Sequence, residues 1–174
     1  LIAPDLVLTA AHCLYDAYTG RAVNPRKTEF EAGLIAGSAK AVRRVKRAVV
    51  SDEYVHRQGG NAQIGFDLAV LVLEDPISRN VVTPLRTDER PDKGDAVLII
   101  SYTEFSTARP IVAQPCYILA RQHDAVVTAC QVEFGASGAP VFAVQGGGHP
   151  RLVSVISSKA AMGGQEVSIG TVLD

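Results

Sequence analysis

The chain has 174 residues, 47% hydrophobic and 20% charged, with 17 Lys and Arg against 18 Asp and Glu. That balance argues against intrinsic disorder, and a net charge of −1 offers no electrostatic case for nucleic acid or an anionic membrane as the main partner. No apolar run approaches the ~20 residues of a membrane-spanning helix.

The chain opens on LIAPDLVLTAAH, with no Met, no basic start and no signal-peptide layout, and so reads as beginning inside a folded unit. Short apolar segments rich in β-branched residues then follow one another. They are Leu6 to Leu8, Ala48 to Val50, Leu68 to Leu73, Ala96 to Ile100, Cys116 to Leu119, Ala125 to Val127, Pro140 to Val144 and Leu152 to Ile156. Each is bounded by Gly, Pro, Asp, Asn or Ser, which predicts strands. Ala10 to Tyr18 allows one short helical turn, and no long stretch has helical periodicity. Such spacing predicts an all-β sandwich or barrel rather than alternating β/α units. The basic run KAVRRVKR (Lys40 to Arg47) reads as a strand or edge with solvated charges, which also discourages edge pairing. The polar stretch PLRTDERPDKGD (84–95) is the best linker, dividing the chain into β-rich halves 1–88 and 89–174. Gly146 to Gly148 reads as a hairpin tip.

Three cysteines are present: Cys13, Cys116 and Cys130. Cys116 and Cys130 can close a short loop, worth roughly 3 kcal/mol in the chain-entropy model, although spacing alone does not establish the pair. No Cys/His cluster has zinc-ligand spacing. His56, His123 and His149 sit in polar, turn-like contexts and read as surface residues.

Three segments carry chemistry together: TAAHC with His12, FDLAVLVL with Asp67, and GASGAP with Ser137. Alone, each has a bland reading: a packed histidine, a strand-end aspartate, a tight turn. Their joint presence, order and flanks change that. The chain resembles the trypsin-like (chymotrypsin-fold) serine peptidases, particularly the bacterial branch. The order His12, Asp67, Ser137 matches the family, and the resemblance covers nearly the whole chain. Val49 to Tyr54, Glu74 to Ile77 and Val155 to Ser158 resemble the segments that flank the aspartate and line the substrate cleft.

The resemblance implies two packed antiparallel β-barrels, with truncation expected at the N-terminus and, since the chain stops soon after the cleft strand, at the C-terminus. It also implies a serine endopeptidase acting through an acyl-enzyme. His12 is the expected general base and acid, Asp67 sets its tautomer, and Ser137 attacks the scissile carbonyl. Backbone N–H groups of Gly135 and Ser137 are expected to hold the oxyanion, a contribution of ~3–4 kcal/mol per donor in comparable sites. No metal or organic cofactor is required. The expected partner is a protein or peptide substrate, with no nucleic acid and no membrane span. Cys13 resembles a family cysteine whose partner lies upstream, and a Cys116–Cys130 bridge near the specificity pocket favours a secreted or periplasmic setting.

The chain also departs from the family. Ala136 stands where digestive members carry the Asp that pairs with a new N-terminus, so that style of activation is not expected. Counting back from Ser137 places the pocket base near Gln131 and Val132, where no Asp selects Lys or Arg. Ser157, Ser158 and Lys159 follow the cleft strand. Lys159 either favours an acidic substrate side chain or is an ordinary surface lysine. Two other readings remain: a catalytically silent, protease-like binding or regulatory module, and a serine esterase on an α/β-hydrolase fold. The second is disfavoured by motif order, since only His149 follows Ser137.

Overall fold

The computed structural model describes residues 1–57, 61–87, 91–144 and 150–173. The expected hairpin tip at Gly146 to Gly148 and His149 lie outside the described residues. The chain is all-β, 50% strand and 6% helix, in the chymotrypsin-like arrangement. The first region holds β1 (Leu6–Thr9), 3-10 turns at Ala11–Leu14 and Pro25–Lys27, β2 (Glu29–Ala32), β3 (Ala41–Val50), the one-turn helix α1 (Asn61–Ile64) and β4 (Ala69–Leu73). The second holds β5 (Arg86–Thr87), β6 (Ala96–Thr103), β7 (Ser106–Val112), β8 (Cys116–Gln122), β9 (Ala125–Thr128), β10 (Pro140–Ala143), β11 (Arg151–Met162) and β12 (Gln165–Val172).

The first region is a curled four-stranded sheet, ordered β1-β4-β3-β2, antiparallel throughout. In β4 the alternation is direct: Ala69, Leu71 and Leu73 are buried while Val70 and Val72 lie on the other face. The basic run belongs to β3. Val45 is fully buried, and a register shift between Val45 and Arg47 leaves Lys46 and Arg47 both exposed before alternation resumes. The strand is interior rather than an edge, because Glu29–Ala32 pairs along Ala41–Arg44.

The second region closes on itself. Its path runs β10-β11-β12-β9-β8-β6, and β10 pairs back onto β6, giving a six-stranded barrel with β7 added outside β6. Val97, Ile99, Ile118, Val126, Val141, Val153 and Ile156 fill it. A disulfide joins Cys116, at the start of β8, to Cys130, just after β9. Between the regions, Phe142, Leu152, Val155 and Leu173 pack against Ile2, Leu8 and Leu68. Strand β11 is therefore buried on both faces from Leu152 to Ser157. Arg86 and Thr87, inside the expected linker, pair in parallel with Arg151 and Leu152 of β11.

Candidate active site

The site forms where the first sheet meets the barrel. Strand β1 ends at Thr9, and the turn Ala11–Leu14 follows at once. Ala10 and Ala11, the two residues before His12, are completely buried. The turn leaves the His12 ring about one-third exposed and aims it at Asp67, which is 4% exposed. Asp67 sits between α1 and β4, its N–H donating to the Ile64 carbonyl at 3.3 Å.

The Asp67 carboxylate is held three ways. The backbone N–H of His12 donates to Oδ1 at 2.8 Å, the His12 ring meets Oδ2 through Nδ1 at 2.6 Å, and the Ser157 hydroxyl donates to Oδ2 at 2.5 Å. Burial alone would push the carboxyl upward. The bonds from the His12 ring, Ser157 and the His12 backbone outweigh it and hold Asp67 below the usual carboxylate range. The same contacts raise His12 above its ordinary 6.5, the Asp67 hydrogen bond first and the Cys13 thiol second, against desolvation. An ionised carboxylate only accepts, so Nδ1 carries a hydrogen, and in the neutral ring Nε2 is the basic atom.

Ser137 lies half-buried in the loop before β10. Ala136 N–H bonds Glu133 O at 3.2 Å, and Gly138 N–H bonds Ile156 O at 2.8 Å. Ile156 N–H returns to Ala139 O at 2.9 Å. Two glycines are required. At Gly138 (φ +82°) a Cβ would come within 2.7 Å of Thr9 Oγ1, so the serine loop rests on the strand that leads to His12. At Gly135 (φ +90°) a Cβ would meet Glu104 N at 2.8 Å. Among the described residues, the backbone-to-backbone bonds of this loop use neither the Gly135 N–H nor the Ser137 N–H. Ser137 makes no hydrogen bond to His12 among them, and the neighbour of Nε2 is the exposed Cys13 Sγ at 3.8 Å.

The residues expected to line the cleft separate into different environments. Gln131 is exposed, and Val132 packs against the barrel core. Ser157 is buried on Asp67 rather than open to a ligand. Ser158 is half-buried, and Lys159 is exposed with its ammonium 3.8 Å from the centre of the Phe134 ring. Among the described residues no group of His, Cys, Asp and Glu could hold a metal ion.

Several site residues carried no sequence signal. The Thr171 hydroxyl donates to Ile64 O at 2.5 Å and lies 3.4 Å from Asp67 O, fixing the segment before the carboxylate from the last strand. His56, expected at the surface, is half-buried: its ring stacks on Tyr15 at 4.0 Å, and its Nδ1 meets the Tyr54 hydroxyl at 3.2 Å. The Tyr54 phenol is pushed up to about 12, by burial first and the Asp67 charge next. Tyr15, Tyr54 and His56 thus form one cluster of rings. His123 occupies the exposed β8–β9 turn, as its context suggested.

The family model of the Trypsin-like peptidase domain matches residues 1–147, a span that includes His12, Asp67 and Ser137. No curated protein sequence matches the chain. Among solved structures, a Glu endopeptidase in complex with MPD is similar with a TM-score of 0.80 at 17% identity, covering 99% of this chain and 77% of that one. A thermostable serine protease from an extremophilic microorganism is similar with a TM-score of 0.75 at 22% identity, covering 98% and 79%. The two structures agree with the all-β architecture, and the match over residues 1–147 places this chain in the trypsin-like peptidase family.

Proposed function

We propose that the protein is a serine endopeptidase in which His12, Asp67 and Ser137 act as a relay and pass through an acyl-enzyme. The observation that carries this reading is the double hold of Asp67 on His12, at 2.8 Å and 2.6 Å, with the serine loop seated on Thr9. Nε2 of His12 takes the Ser137 proton as Oγ attacks the carbonyl carbon, then returns it to the leaving amine. A water, activated by the same nitrogen, releases the acyl group. Asp67, buried and ionised, stabilises the imidazolium at the moment it forms. The N–H groups of Gly135 and Ser137, which make no backbone-to-backbone bond among the described residues, donate to the developing oxyanion. Ala136, buried at 2% exposure, leaves the loop to be held by Glu133, Ile156 and Glu104 instead of by an ion pair. The Cys116–Cys130 disulfide supports work in an oxidising setting, secreted or periplasmic.

A silent binding module is the second reading, favoured by one observation: Ser137 and His12 are not hydrogen-bonded among the described residues. Labelling the intact protein with a fluorophosphonate decides between them. The expected result is label on Ser137, abolished by Ser137→Ala and slowed strongly by His12→Ala. A folded protein that takes no label would leave the silent module standing.

A further inference from the structure

We propose that Lys159 is the specificity-determining cation of the cleft, selecting peptides with a carboxylate close to the scissile bond. The inference rests on the endopeptidase reading above and names its substrate class. Two features of the second region converge on it. Phe134 stands 61% exposed, immediately before Gly135 and three residues before Ser137. Lys159 lies on β11, two residues past the Ser157 that binds Asp67. Their contact, Nζ 3.8 Å from the ring centre, joins the loop that carries the nucleophile to the strand that supports the carboxylate. The contact places the ammonium against the segment that leads into Gly135 and Ser137.

Nothing in the described structure neutralises it. Among the described residues no carboxylate lies within 4.0 Å of Lys159. Glu133 and Glu104 are the nearest acids by chain position: Glu133 precedes Phe134, and Glu104 N–H bonds the Phe134 carbonyl at 3.0 Å. Neither forms an ion pair with it. An exposed cation–π contact is weak, and lysine is a point charge on a flexible stem, so an incoming carboxylate can draw the ammonium off the ring face. The vacated ring then offers apolar surface to the methylenes of a glutamate. Substrate binding excludes water from the new pair and strengthens it relative to an open surface pair.

The test is a set of fluorogenic peptides with matched Glu/Gln and Asp/Asn pairs at the two positions on each side of the cut. At one position the intact protein should cleave the acidic peptide about tenfold better in kcat/KM than its amide twin, a ratio that shrinks in about 0.5 M NaCl. Lys159→Gln should bring the ratio to about one, chiefly by loss on the acidic peptide, and Lys159→Glu should turn the preference toward lysine peptides. Equal cleavage of the pairs by the unaltered protein, or a ratio that survives in Lys159→Gln, overturns the proposal. So does fluorophosphonate labelling of Ser137 without cleavage of any acidic peptide, an outcome that leaves the serine chemistry intact. A folded protein that neither labels nor cleaves overturns both.

Discussion

The two sheets treat their edges differently. The second region closes β10 onto β6, so its six barrel strands have partners on both sides and its interior is a continuous set of Val and Ile side chains. The first region stays a curled sheet with β1 and β2 as outer strands. It buries a smaller cluster of Val7, Ala32, Val45, Leu71, Leu73 and Ile77. Chemistry is divided along the same line. The proposed nucleophile sits on the closed barrel, while the base and its carboxylate sit on the open sheet. A pair of barrel hydroxyls, Ser157 and Thr171, reaches across to the Asp67 carboxylate and to the Ile64 and Asp67 carbonyls. The difference teaches that the reacting geometry belongs to neither region alone.

Asp67→Asn tests the open-sheet side most severely. An amide can present its N–H₂ to the ring and stabilise the wrong tautomer, so kcat should fall about ten-thousandfold while thermal unfolding changes little. Retention of most activity would remove Asp67 from the relay. On the barrel side, Gly135→Ala places a Cβ against Glu104 N and strains a left-handed residue. It should cost about a hundredfold in kcat, with KM changed far less.

Ser157→Ala cuts the tie between the regions. The lost bond is made to a charged, buried group, so kcat/KM should fall about tenfold or somewhat more. Its distinguishing readout is pH. In the proposed relay activity needs neutral His12, whose pKa is raised above 6.5, so the acid limb of kcat/KM should lie above that value. In Ser157→Ala the carboxylate has one partner fewer and binds protons more readily. Acid inactivation should then begin at higher pH. The His12–Asp67 bond itself stabilises fully between the ordinary carboxyl and imidazole pKa values. It is lost below the depressed value of Asp67 and above the raised value of His12. A pH profile identical to the parent's would reduce Ser157 to packing.

The smallest effect on turnover should come from the double change Cys116→Ser with Cys130→Ser. It should lower unfolding free energy by about 3 kcal/mol and leave kcat within about threefold, because the bridge ties β8 to the end of β9 and touches no reacting group. Loss of activity in parallel with stability would mean that the barrel's rigidity is transmitted to the Ser137 loop.

Much of this architecture was legible in the chain. β4, β6 and the buried part of β11 announce themselves as apolar runs bounded by turn residues. Four strands gave no such sign, each for a physical reason: β5 is two exposed residues inside the polar stretch read as a linker. β2 is four residues with two glutamates, and β7 is mostly exposed and contains Pro110. β12 hides hydroxyls where a strand core is expected to be aliphatic: Ser168 and Thr171 are buried but satisfied, the former by Thr128 at 2.7 Å. The same masking concealed part of the site. His12, Asp67 and Ser137 stand in segments whose flanks are distinctive, whereas Thr171 is one threonine among many until the fold carries it beside Asp67. Ser157 reads in the sequence as a cleft residue, and the fold turns its hydroxyl onto the carboxylate.

The hydrogen bonds around Asp67 span 55, 90 and 104 residues of chain. Contacts of such separation form late, because the loops they close are long and their entropy must be overcome first. During synthesis the histidine and the aspartate emerge well before β11 and β12. A nascent chain therefore carries an imidazole whose carboxylate is not yet clamped. In the proposed relay, the carboxylate and the segment before it are therefore not fully held until β11 and β12 have docked.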